Sequence, residues 1–159
     1  MIAVDIQAND ELRDLYRELI LDHSRSPRHF GKLADATHSA EGINPLCGDK
    51  LRLYLQLDGN ERIVDAAFEG SGCAISVASA SLLTDVIIGM QVSDSLHYFR
   101  VVTGHLTQTR DIDTESIDLG KIRALDGVRE FPSRVKCATL AWHALNSAIH
   151  NQATPVSTE

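Results

Sequence analysis

The chain has 159 residues with 43% hydrophobic and 23% charged content, the make-up of one globular domain, which excludes a disordered chain or a fibre. Its 15 Lys+Arg stand against 22 Asp+Glu for a formal net charge of −7, so the basic surplus that binds nucleic-acid phosphate or anionic lipid is missing. No apolar run approaches the roughly 20 residues of a membrane span, and the first ten residues lack the pattern of a signal peptide. A cytoplasmic protein is therefore expected, a single domain over residues 1–159, whose partners are proteins, small molecules or cations.

Leu12, Leu15, Tyr16, Leu19 and Ile20 recur at helical spacing and predict an amphipathic helix over 10–23, capped by Asn9 or Asp10 and stopped at Ser26 and Pro27. A weak strand pattern covers His38 to Ile43. Leu51, Leu53, Leu55 and Leu57 then alternate with Arg52, Tyr54 and Gln56, the period of a strand. Asp58, Gly59 and Asn60 supply turn residues suited to positive φ, and Ile63 to Glu69 reads as the returning strand.

Helices follow. Ala74 to Ile88 has apolar residues at helical spacing with Gly89 as its terminating glycine. Ser93 to Thr103 is predicted helical, with Leu96, Phe99 and Val102 inward and Gly104 ending it. Residues 107–132 are polar and poorly periodic, with one short helix expected near Ser116 to Ala124. Ser133 is expected to cap a last helix whose stripe runs through Ala138, Ala141, Trp142, Leu145, Ala148 and Ile149. From about residue 153 the chain reads as a frayed, mobile tail. Strands first and helices later predict an α+β fold, a small antiparallel three-stranded sheet with helices packed on one face.

The three cysteines are too few, and odd in number, for a disulfide framework. Cys47 lies in the turn Asn44-Pro45-Leu46-Cys47-Gly48-Asp49; Cys73 follows Gly70-Ser71-Gly72 and opens a helix, where free amide groups favour a thiolate. Cys137 lies about one turn into the final helix, beside Lys136 and after Arg134. A lone cysteine is most often a small buried hydrophobe. All three here sit at element edges and two lie beside glycines, which suits chemistry better. Three thiols and Asp49 make up the four ligands of a tetrahedral zinc site, although the wide spacing does not by itself define one. Zinc held by so much negative charge polarises water weakly, which disfavours a hydrolase. Cys47, on its turn, is the sulfur best placed to leave and act as nucleophile. His23, His29, His143 and His150 are expected on the solvated surface, as is Asp85, and Trp142 in the core.

Four stretches together resemble a known family. LYRELILDHSRSPRHFG from Leu15, NPLCGD around Cys47, FEGSGCAISVASAS around Cys73 and RVKCATLAW around Cys137 are similar to the SufU branch of the IscU/NifU N-terminal-like iron–sulfur cluster assembly proteins. The resemblance implies a compact α+β fold and a zinc site with Cys47, Asp49, Cys73 and Cys137 as metal ligands. It implies a zinc-dependent sulfurtransferase that accepts persulfide sulfur on Cys47 from a SufS-like cysteine desulfurase, with Arg134 taking part in the exchange, and passes it to downstream acceptor proteins. The wider family implies the alternative of a scaffold that carries iron or a transient iron–sulfur cluster. Lys136 stands where IscU-type scaffolds place a histidine, and an ammonium cannot replace that ligand. Phe131 to Lys136 stands where those scaffolds carry LPPVK, which argues against an Hsp70-type partner. The long interval between Cys73 and Cys137 accommodates an insertion at about 107–132.

Overall fold

The fold, seen in a computed structural model, is described for residues 2–108 and 117–158, with side chains from Glu11 onward. Residues 109–116 of the expected insertion, and with them Ser116 of the expected short helix, lie outside the described residues. The chain order is α1 (Ile2–Arg25), β1 (His38–Asn44), β2 (Asp49–Leu57), β3 (Ile63–Ser71), α2 (Ala74–Ile87), α3 (Val92–Thr107), a 3-10 helix (Gly120–Val128), α4 (Pro132–Ile149) and β4 (Val156–Ser157). Among the described residues no helix is long and apolar enough to cross a membrane.

The sheet has four strands in the order β3-β2-β1-β4 rather than the expected three. β1, β2 and β3 are antiparallel neighbours, as the alternation implied. The fourth strand comes from the stretch expected to fray: Val156 and Ser157 pair in parallel with Gly42 and Ile43, and the Thr158 amide donates to the Ile43 carbonyl at 3.2 Å. Two residues are too few to carry a readable period. The β2–β3 loop also differs in detail. Its left-handed residue is Glu61, at φ 60°, and the Asp58 carboxylate holds the bend by accepting from the Asn60 and Arg62 amides at 2.9 Å each.

Alternation decides which face of the sheet is covered. Ala40, Leu51, Leu53, Leu55, Ile63, Ala66 and Phe68 point to the helices and are buried. The opposite face carries Glu41 paired with Lys50 and Arg52 at 3.3 and 3.2 Å, and the Tyr54 hydroxyl donating to Glu69. Helix α4 lies across β1 and β2, and α2 lies against β3. At Gly42 a Cβ would stand 3.1 Å from the Leu140 side chain, so α4 approaches β1 closely where no side chain intervenes. Helix α1 then packs on α2, and α3 on α4.

Packing revises several helical expectations. α1 starts well before Asn9 and Asp10, so neither caps it; Leu12 and Leu15 are exposed, whereas Tyr16, Leu19 and Ile20 pack on the core. Gly89 does follow α2, at φ 96°. α3 runs through Gly104 to Thr107, and its buried face is Ser95, Tyr98, Val101, Val102 and Leu106, about one residue away from the predicted stripe. Leu119, Ile122, Ala124, Leu125 and Val128 of the 107–132 segment are buried; the 3-10 helix that holds the last four packs on α1 and is tied to α3 by His105 and Asp126 at 2.7 Å. α4 is preceded by Phe131 in the cap position with Pro132 at its first turn, so Ser133 lies inside it. Trp142 is fully buried as expected, stacked on Tyr98, its indole N–H donating to Ser79 at 3.1 Å.

His23, His143 and Asp85 depart from their expected solvation. Asp85 is half-buried with Lys121 at 3.8 Å. His23 is buried, its Nδ1 2.7 Å from the Ser81 hydroxyl, while Ser81 also accepts the Arg28 amide at 2.8 Å. Burial, then the nearby Arg28 charge, lowers the His23 pKa from its ordinary 6.5, outweighing Asp85 and Asp22. Burial lowers His143 in the same direction. A histidine harder to protonate when folded binds its proton more readily when unfolded, so stability is lost as pH falls through about 6.5 toward the folded value. The metal-free protein is therefore expected to melt at lower temperature below about pH 6.5, and His23→Gln to flatten that dependence; melting curves recorded against pH check it, and an unchanged slope in the variant would contradict it.

Candidate metal centre

The alternation that fills the core ends in two polar residues. Asn44, last in β1, and Asp49, first in β2, sit directly opposite one another and both point to the covered face, where they are 0% and 2% exposed. Between them Pro45 to Gly48 turn the chain. The Cys47 amide donates to the Asn44 carbonyl at 3.3 Å, and Gly48 takes φ 71°, which a glycine adopts without strain. The turn leaves Cys47 exposed and returns the chain so that Asp49 faces inward.

A second segment arrives from β3. At Gly72 a Cβ would stand 2.5 Å from Asp49 Oδ1, so only glycine lets the strand pass the carboxylate. Cys73 follows in the cap position of α2; its amide donates to Asp49 Oδ1 at 2.8 Å, and its Sγ is 4.0 Å from Asp49 Oδ2. An anion at the start of a helix is favoured by the free amide groups there. The third segment is α4, which buries Cys137 in its second turn. The Cys137 Sγ lies 3.5 Å from the Ser133 carbonyl and accepts from the Asn44 side-chain amide at 3.4 Å.

The donor atoms of Cys47, Asp49 and Cys137 all lie within 4.8 Å of one another. Cys73 stands outside that trio but is joined to it through Asp49. Burial raises the Cys137 pKa, and the neighbouring Asp49, Cys47 and Cys73 raise it further. So many would-be anions crowd one another unless a cation sits among them. Sulfur donors with one carboxylate select zinc or iron–sulfur species over magnesium or calcium, so the residues present fit a zinc ion.

Arg134 precedes Cys137 by one turn on α4. It is exposed on the first turn of α4, with its guanidinium carbon 5.1 Å from the centre of the Phe131 ring. Sequence reasoning missed Asn44. The available signal was its place at the end of a strand, on the face that alternation assigns to apolar residues.

Fold and site together define an α+β protein with a thiol-rich candidate metal centre at one end of its sheet. The chain belongs to the NifU-like N-terminal domain family, which it matches over residues 15–138. It is 45% identical over 141 residues to the zinc-dependent sulfurtransferase SufU of Bacillus subtilis (strain 168), covering 89% of this chain and 93% of that one. It is 38% identical over 146 residues to the iron–sulfur cluster assembly scaffold protein IscU of Streptococcus pyogenes serotype M1, covering 92% and 89%. A crystal structure from Fervidobacterium islandicum AW-1, described as a scaffold protein for iron–sulfur cluster assembly in the SUF system, superposes with a TM-score of 0.76 at 36% identity, covering 83% of this chain and 94% of that one.

Proposed function

We propose that this protein is a zinc-dependent sulfurtransferase of iron–sulfur cluster assembly, with Cys47, Asp49, Cys73 and Cys137 as the metal ligands. The observation that carries the reading is the unequal exposure of its sulfurs. Cys137 is 2% exposed and Cys73 half-buried, while Cys47 stands at the surface on a four-residue turn. The sulfur that can let go is the one a donor can reach. Zinc, when bound, keeps the thiols deprotonated without oxidation.

Cys47 then acts as nucleophile. Its thiolate attacks the terminal sulfur of a donor's cysteine persulfide; a new S–S bond forms on Cys47, the donor's S–S bond breaks, and the donor leaves as thiolate. The persulfide proton stays on the transferred sulfur, so no oxidant or reductant is consumed. Asp49 and Cys73 stay fixed to each other through the 2.8 Å amide contact while Cys47 moves. Arg134, one turn before Cys137, is assigned the positive charge that accompanies the exchange. The proposed donor is a cysteine desulfurase of SufS type, which carries its sulfur as a cysteine persulfide, and downstream proteins take the sulfur on.

Zinc-loaded protein is expected to accelerate alanine release by such a desulfurase, and metal-stripped protein to do so only after zinc is restored. A desulfurase rate indifferent to the loaded protein would overturn the proposal. The three thiols also support the scaffold reading, since clusters are held mainly by cysteine sulfur. Anaerobic reconstitution separates the two: a stable cluster that displaces zinc and passes intact to an apo-protein would favour the scaffold.

A further inference from the structure

We infer that Asn44 is a positioning residue that holds Asp49 and Cys137 in place for the metal; the inference rests on the zinc reading above. Asn44 occupies the inward position that Ala40 and Gly42 occupy earlier in β1. A fully buried amide there is costly unless its hydrogen bonds serve a purpose. Its Nδ2 donates to Asp49 Oδ2 at 3.2 Å and to Cys137 Sγ at 3.4 Å, whereas its own Oδ1 is buried without a partner among the described residues. Both donors are thus committed to would-be ligands from two different elements, β2 and α4, and the acceptor is left unmatched. A side chain chosen only to satisfy the core would not be arranged so. Turning the amide over would aim its oxygen at a carboxylate and a sulfur, so the neighbours fix its orientation.

The consequence for Asp49 is restraint from two sides. Oδ1 is held by the Cys73 amide and Oδ2 by Asn44, so one carboxylate is tied to β1 and to the start of α2. The N–H to Cys137 Sγ favours a sulfur carrying negative charge. Side chains that orient ligands in this way typically change metal affinity about 10–100-fold when replaced.

The test compares wild type with Asn44→Asp, which keeps the shape but replaces the donors with an anion, and with Asn44→Ala, which removes the amide without adding charge. Zinc affinity is read by competition with a chromogenic chelator, and ligand geometry by the thiolate-to-cobalt absorption of cobalt-loaded protein. Asn44→Ala is expected to bind zinc about 10–100-fold more weakly, and the cobalt spectrum to change in both variants. A merely structural residue would lower the metal-free and zinc-loaded melting temperatures equally. Variants with wild-type zinc affinity and cobalt spectrum overturn the inference while leaving the zinc reading intact. A wild type that fails to hold zinc overturns both. Should Asn44→Asp not fold, Asn44→Ala decides.

Discussion

Cys47→Ala is expected to return a cysteine desulfurase to its own basal rate of alanine release, with none of the acceleration that the wild-type protein gives. Cys47 is the exposed sulfur of the group, and alanine offers no atom that could accept the donor's sulfur. The substitution lies on an exposed turn whose backbone contact, Cys47 N–H to the Asn44 carbonyl, alanine preserves. Stability of the metal-free protein should therefore stay within about 0.5 kcal/mol, which separates lost chemistry from lost fold. Equal stimulation by Cys47→Ala and wild type would show that another group receives the sulfur.

Asp49→Ala should strike both the metal and the fold. The Cys73 and Asn44 amides lose their common acceptor in a buried place, at a cost of about 1–3 kcal/mol. Zinc loses a ligand as well, so its affinity should fall by more than the 100-fold or so that a mere ligand-orienting residue costs. Asp49→Asn separates the two effects, because its side-chain oxygen can still accept from Cys73 while the negative charge is gone. Folding stability should recover in part in that variant, because the Cys73 contact is kept while the oxygen that accepts from Asn44 becomes an NH2 group, and zinc affinity should stay low. If Asp49→Ala bound zinc like wild type, the carboxylate would be a structural acceptor only, and the fourth ligand would have to be sought elsewhere.

Much of the candidate site is readable because its determinants are local. Pro45 and Gly48 mark the turn that carries Cys47, and Gly72 marks the passage beside Asp49 before Cys73 opens α2. Coming together of the three segments is a different matter. It depends on α4 crossing β1 over Gly42, which nothing near Cys137 announces; the family resemblance supplied it. The misplaced inner face of α3 has a physical cause. In α3, Tyr98 lies beside Phe99 and Val101 beside Val102, so two faces one residue apart have nearly equal apolar content, and contact with Trp142 chooses Tyr98. In α2, Ser79 and Ser81 are both buried and used, one by Trp142 and the other by His23. Asn44 escaped notice because alternation marks it as core, whereas its value lies in two partners that only the folded chain brings near.

The short last strand has a consequence for how copies of this protein meet. β4 occupies the outer side of β1, and on the other margin Phe30 bridges to Phe68 of β3, with the Gly31 amide donating to the Phe68 carbonyl at 2.7 Å. β1 and β3 thus spend main-chain hydrogen-bonding groups within the chain, which hinders edge-to-edge pairing of sheets from different molecules. Val156 and Ser157 also pair with the strand that ends in Asn44, so loss of β4 would loosen the strand that carries a partner of both Asp49 and Cys137.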